Sequence, residues 1–107
     1  MKIIDIKTQD IRFPTSKDNL GTDAVHVDCD YSATYVTIFT DQKDLTGIGL
    51  TFTIGKGNDL CCTVIEYFKE FIIGKNVEEI EKDIASIWEK ITNHSQLRWV
   101  GPQKGVT

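Results

Sequence analysis

The chain has 107 residues, enough for one domain of ordinary size with a modest hydrophobic core. Its hydrophobic fraction of 40% and charged fraction of 26% are those of an average globular protein, which argues against disorder throughout. The net charge is −4 and no basic run or stripe occurs, so we expect no nucleic acid as a partner.

Cellular location follows from the apolar stretches and the cysteines. No window approaches the length of a membrane span, and the opening MKIIDIKTQD turns charged too early for a signal peptide. Cys29, Cys61 and Cys62 are odd in number and two are adjacent, which does not suit a disulfide framework. We therefore expect no membrane as a partner and an intracellular protein, cytoplasmic or mitochondrial and not secreted.

Three strands are predicted first along the chain. Residues 2–13 alternate apolar and polar side chains and stop at Pro14, as a strand with one buried face does. ATYVTIFT (33–40) and TGIGLTFT (46–53) are rich in β-branched and aromatic residues, and their short connection favours an antiparallel meander. Gly47 and Gly49 predict a close approach or a bulge in the third strand.

Two loops separate these elements. Residues 14–32 contain many turn formers and no period, and a loop of that length is usually functional or disordered; its His26, Tyr31 and aspartates favour a binding role. Residues 54–57 form a glycine-bearing loop that either lines a substrate site or only connects strand to helix. It lacks the GK[ST] ending of a phosphate-binding loop.

Two helices are predicted after the strands, each with one apolar side. The first covers 58–73 and ends at Gly74, with Leu60, Val64, Phe68, Phe71 and Ile72 on its buried side. In the second, Asn76 and Glu79 form a capping box. Its apolar stripe would bury Val77, Ile80, Ile84, Ile87, Trp88 and Ile91. Trp99 lies outside any period and is either an exposed contact residue or a cover for the domain's own core.

Candidate chemistry in the side chains is sparse. His26, Asp28, Cys29 and Asp30 could be imagined as metal ligands, but they lack the paired spacing of a structural zinc site, so the hypothesis is disfavoured. Cys61 and Cys62 begin an apolar helix with no histidine close in sequence and are better read as core residues than as nucleophiles. His94 is predicted to lie at a helix C-terminus, where positive charge is favourable.

Four separated blocks carry a resemblance to a known family. DIRFPTS (10–16), DYSATYV (30–36), TFTIGKG (51–57) and QLRWVGPQKGV (96–106) together resemble the L-fuconate dehydratases of the enolase superfamily, mandelate racemase subgroup. The resemblance runs from about residue 7 to the end of the chain. Its order of strands followed by helices is the order found above from periodicity alone.

The resemblance implies an α+β fold, a three-stranded antiparallel meander followed by a helical bundle, like the enolase N-terminal domain and without the barrel. Residues 1–107 would be one capping domain, incomplete at its C-terminal end. In this family the chemistry is magnesium-dependent removal of water from a sugar acid, giving a 2-keto-3-deoxy acid. The base, the general acid and the metal carboxylates come from the barrel, so none of the catalytic residues, metal ligands or cofactors is expected in this chain.

The role left to such a cap is substrate specificity. The family's substrate-contacting stretch matches Gly21, Thr22 and Asp23, its tyrosine matches Tyr31, and Lys56 in the second loop is a further candidate. Thr22 replaces a small residue, and the insert at 17–19 departs from the family's pattern. The implied partners are the sugar acid and the barrel, in a homo-oligomer. The competing hypothesis is a truncated, non-catalytic binding or regulatory module that uses the face normally packed on the barrel.

Overall fold

Three strands and the helices that follow them form the described part of the chain, residues 1–13, 31–55 and 57–99 of a computed structural model. The predicted α+β class and element order are confirmed. The elements are β1 (Ile3–Arg12), β2 (Ser32–Thr40), β3 (Thr46–Thr53), α1 (Asn58–Ile72), α2 (Val77–Lys82), α3 (Ile84–Thr92) and a 3-10 turn (Leu97–Trp99).

The strands form one antiparallel sheet in the order β1-β2-β3. Val36 in the central strand pairs with Thr8 on one side and with Gly49 on the other. A Cβ at Gly49 would lie 3.2 Å from Cγ1 of Val36, so the close approach predicted there is confirmed. The register between β2 and β3 has no shift; the irregularity lies in β1, between Ile3 and Asp5.

Helix α1 covers one face of the sheet and makes the core. Ile65 packs with Ile3 and Ile6 of β1, while Val64 and Phe68 pack with Ile91 of α3. Cys61 is completely buried, as predicted for a core residue. Leu60 is the exception to the predicted apolar side, because it is 53% exposed and lies about a quarter turn from the line of Cys61, Val64 and Phe68.

The second predicted helix is wrong as a single element, because it is broken at Asp83. Asp83 has φ −138° and ψ 53°, and its carboxylate accepts a hydrogen bond from the backbone N–H of Ser86 to start α3. The break interrupts the apolar stripe. Ile84 and Trp88 are 60% and 54% exposed, so the prediction that Trp88 belongs to the core is also wrong.

The start of α2 is held by the chain's first residues rather than by a capping box. Asn76 does occupy the N-cap position, but its side chain makes no capping hydrogen bond. The N–H of Val77 instead donates to the carbonyl of Met1 at 2.8 Å, and the Met1 ammonium pairs with Glu78 at 3.1 Å. Met1, which precedes β1, therefore satisfies one of the first helical N–H groups of α2, where no capping side chain does so.

The chain after α3 settles two further expectations. The Nδ1 atom of His94 accepts hydrogen bonds from the N–H groups of Gln96 and Leu97, both at 3.2 Å, so His94, which directly follows the C-cap of α3 as predicted, caps the 3-10 turn. Trp99 is 67% exposed, with the Arg98 guanidinium 5.0 Å from its ring centroid. Of the two possibilities for Trp99, the exposed one is correct.

Truncation of the α1 core tests this packing. We expect Phe68→Ala to lower the free energy of unfolding by about 3–4 kcal/mol, because a buried aromatic ring is replaced by a cavity. Leu60→Ala is the matched control on the same helix and should cost less than about 0.5 kcal/mol, since that side chain is mostly in solvent. Urea unfolding of the two variants measures both values, and equal losses would contradict the assignment of the buried side.

Candidate functional site

The sheet register brings the flanks of both predicted loops to one end of the sheet. Arg12 pairs with Ser32, and Ser32 pairs with Thr53, so these residues form one row across the three strands. We call this region the loop end; it comprises Arg12, Phe13, Tyr31, Ser32, Thr53, Gly55 and Gly57. The strand order thus places the flanks of the two segments that are candidates for binding beside each other.

Tyr31 is held at the loop end by both its backbone and its ring. Its carbonyl accepts a hydrogen bond of 2.7 Å from the N–H of Phe13, which joins the two flanks of the first loop. Its ring meets the ring of Phe52 edge to face, with 5.6 Å between centroids. Tyr31 remains 37% exposed, so part of this predicted site residue is accessible at the loop end.

The second loop turns into helix α1 through two glycines. Gly55 and Gly57 have φ values of 96° and 91°, in the left-handed region where a side chain would be strained. The carbonyl of Gly57 accepts from the N–H of Cys61 at 3.0 Å, so the loop also begins the helical hydrogen bonding. A glycine-bearing loop was predicted here, and the backbone explains why glycine is needed.

Asn58, directly after this loop, joins the helix to all three strands. Its side chain is fully buried, and its Oδ1 accepts from the hydroxyls of Thr34 at 2.8 Å and Thr53 at 3.0 Å. Its Nδ2 donates to the carbonyl of Ala33 at 3.3 Å and to the carboxylate of Asp10. Each polar atom of this buried amide therefore has partners, as burial requires.

Asp10 extends the network to the surface. The Nε and Nη2 atoms of Arg12 bind its two carboxylate oxygens, each at 3.0 Å. These bonds hold the pKa of the Asp10 carboxyl below its ordinary value, with the Arg12 guanidinium as the first cause and the Asn58 amide as the next. The carboxylate thus remains charged near neutral pH between a surface cation and a buried amide.

Sequence reasoning missed Asp10, Arg12 and Asn58 as members of the site. Asn58 was predicted only as the start of a helix. The alternation of the strands did contain a signal. Thr34 and Thr53 are each two positions from another core-facing residue and so face the core themselves, where a polar side chain needs a hydrogen-bond partner. The partner could not be identified without the register.

The remaining predicted site residues lie outside the described residues. These are Gly21, Thr22, Asp23 and Lys56, together with the disfavoured metal group His26, Asp28, Cys29 and Asp30. Within the ranges that the structure describes, no three or more His, Cys, Asp or Glu side chains form a group suited to a metal ion. In the same ranges, no helix has the length and apolar character needed to cross a membrane.

Known proteins resemble the chain over almost its whole length. Mitochondrial enolase superfamily member 1 is 46% identical in Xenopus laevis and 41% identical in Homo sapiens, covering 97% and 98% of the chain. L-galactonate dehydratase of Hypocrea jecorina is 43% identical over 97% of the chain. No protein-family model matches.

The structural comparison agrees with the sequence comparison. The crystal structure of human mitochondrial enolase superfamily member 1 matches 98% of the chain with a TM-score of 0.88 and 40% identity. The chain spans about a quarter of the relatives' length, 24% of that crystallised chain and 23–24% of the relatives above. Over the residues that it spans, the chain is therefore similar to mitochondrial enolase superfamily member 1 and has the fold of the N-terminal domain of that protein.

Proposed function

We propose that residues 1–107 act as the substrate-specificity cap of an L-fuconate dehydratase-like enzyme. The observation that carries the proposal is the row Arg12, Ser32 and Thr53, which puts the flanks of both candidate loops at one end of the sheet. Two loops at one end can enclose a small ligand, whereas loops at opposite ends cannot. The relatives, which include a protein named L-galactonate dehydratase, support a sugar acid as that ligand.

The proposed reaction divides the work between two domains. A base removes the proton α to the carboxylate, the C3–O bond breaks, and the hydroxyl leaves as water after protonation; the enol then becomes a 2-keto-3-deoxy acid. Magnesium, when bound, stabilises the negative charge that develops on the substrate carboxylate. The family resemblance assigns the ligands of this ion to a barrel domain, and the described residues contain no group of three or more His, Cys, Asp or Glu side chains suited to a metal ion.

The contribution of this chain is binding, orientation and exclusion of water. The Tyr31 ring, fixed against Phe52, provides a rigid wall with an apolar body and a polar tip. Such a wall can lie along a sugar acid while the hydroxyl group meets one of its oxygens. Gly21, Thr22, Asp23 and Lys56, which the family resemblance assigns to substrate, would complete the same wall from the two loops. A wall of this kind lowers KM and leaves the chemical step to the barrel.

Location and assembly are part of the same proposal. A sugar-acid dehydratase of this kind would work inside the cell, in the cytoplasm or, as the names of the vertebrate relatives suggest, in mitochondria. Its partners would be the sugar acid and a barrel domain, in a homo-oligomer, without nucleic acid or membrane.

A second candidate function is favoured by the apolar side chains left in solvent. Ile84, Trp88 and Trp99 are 60%, 54% and 67% exposed, and Ile48, Leu50 and Phe52 of β3 are 74%, 60% and 60% exposed. Surfaces of this kind mark contact sites. If this chain functions without a barrel, the same surfaces would make it a non-catalytic binding or regulatory module.

Dehydration of L-fuconate tests the first proposal. We expect the purified product of the gene, supplied with magnesium, to release a 2-keto acid from L-fuconate, measured as its semicarbazone absorbance. In that product Tyr31→Phe should raise KM about tenfold with little change in kcat, since one hydrogen bond to the substrate is lost. Tyr67→Phe, an exposed tyrosine on α1, is the matched control and should change neither constant. No activity toward sugar acids would contradict the proposal.

The solution state of the isolated 107-residue chain tests the second. A module that uses its apolar surfaces as an interface should self-associate, and Trp88→Ser combined with Trp99→Ser should abolish that association. Sedimentation velocity at micromolar concentration measures the mass. A monomer at all concentrations, unchanged by the two substitutions, would contradict the proposal of a binding or regulatory module. The substrate-specificity cap would then be the remaining proposal.

A further inference from the structure

We propose that Asp10 and Asn58 are positioning residues that couple the two loops of the candidate site, so that the flanks of both loops shift together. The inference rests on the proposed function for its significance, because only a capping domain needs both loops positioned together around one ligand. The coupling itself is a property of the fold and is argued from the contacts alone.

The link to the second loop is through Asn58. This residue begins α1 immediately after Gly57, and its backbone N–H reaches the carbonyl of Gly55 at 3.4 Å. Its side chain also holds the hydroxyl of Thr53, the last residue of β3 before the loop. The second loop is therefore bonded to Asn58 twice, through the side-chain amide at Thr53 and through the backbone N–H at Gly55.

The link to the first loop is through Asp10. Its carboxylate accepts hydrogen bonds from the Asn58 amide on its buried side and from the Arg12 guanidinium on its exposed side. Arg12 ends β1 and is followed by Phe13, whose N–H holds the carbonyl of Tyr31 across the first loop. Asp10 therefore stands between the buried amide and the residues from which the first loop departs.

Burial makes this connection stiff. Asn58 is fully buried and Thr34 is 0% exposed, so a displacement that breaks their hydrogen bonds leaves polar atoms without water. Small rearrangements that move Asn58 are then expected at Thr34 and Thr53 as well, and they reach Arg12 through the Asp10 carboxylate, whose side chain is 34% exposed. A second β1–α1 contact, between the Lys69 ammonium and the Asp5 carboxylate at 3.9 Å, lies away from the loops; Lys69 also pairs with Glu66 of its own helix at 2.7 Å.

Amide NMR of the 107-residue chain tests the coupling in both directions. Asp10→Asn, which neutralises a carboxylate of the first-loop flank, should shift the Gly55 and Gly57 amides. Thr53→Val, which removes a hydroxyl of the second-loop flank, should shift the Arg12 and Phe13 amides and speed hydrogen exchange at Phe13 about tenfold. Combined, the two substitutions should be non-additive at these amides.

The controls separate coupling from general loosening. Asp5→Asn removes a carboxylate from the same strand, and Thr63→Val removes an exposed hydroxyl from α1; both should leave the loop-end amides within the spread of repeated spectra. Shifts confined to the substituted strand and its neighbour, or strictly additive effects, would overturn the proposal. If Asp10→Asn does not fold, the proposal is tested by Thr53→Val alone, and an unchanged amide shift and hydrogen-exchange rate at Phe13 would overturn it.

The outcome is independent of the proposed activity. No substrate is present in the NMR experiment, so a chain that fails to dehydrate sugar acids can still show coupled loop flanks. Conversely, an active enzyme whose flanks respond separately would keep the proposed function and reject Asp10 and Asn58 as positioning residues.

Discussion

The side-chain amide of Asn58 lies where the sheet and helix α1 meet, and the geometry of the loop end depends on it. It accepts from threonines of two strands and donates to a carbonyl and a carboxylate, so it joins β1, β2 and β3 to the first residue of the helix. Because a buried amide without partners is costly, these contacts must all be made at once. The fold thereby fixes the relative positions of Tyr31, Gly55 and Gly57, from which two loops begin or end.

Because Asn58 lies at the loop end, the residues that stabilise the core and the residues that position the loops occupy different parts of the domain. The apolar core lies further along α1, where Ile65 and Phe68 meet β1 and α3, and it is remote from the loop end. A domain built in this way can change its loops without repacking its core. The exposed Ile84, Trp88 and Trp99 lie on elements outside the sheet and offer apolar surface that a second domain or a partner could cover.

The strands were predictable because alternation and β-branched residues are local signals, and the bounds of β3 and the start of α1 agree with the sequence. The break at Asp83 was missed because the apolar stripe continues through it in sequence, while the backbone does not. Asn76 was predicted correctly as the N-cap of α2, but the capping box was wrong, because the N–H of Val77 finds its partner in Met1, which is remote along the chain. Of the candidate site, Tyr31 was predicted from the composition of the first loop and from family resemblance, whereas Asp10 and Asn58 are joined by a contact 48 residues apart in sequence that no local pattern contains.

The most direct measurement is the free energy of unfolding of Asn58→Ala, determined by urea denaturation beside Asn93→Ala, an exposed asparagine at the end of α3. If the buried amide holds the loop end together, Asn58→Ala should lose about 2–4 kcal/mol, because the hydroxyl of Thr53 and the carbonyl of Ala33 lose a buried partner, and Asn93→Ala should lose less than about 0.5 kcal/mol. A loss at Asn58 no greater than that at Asn93 would contradict the account.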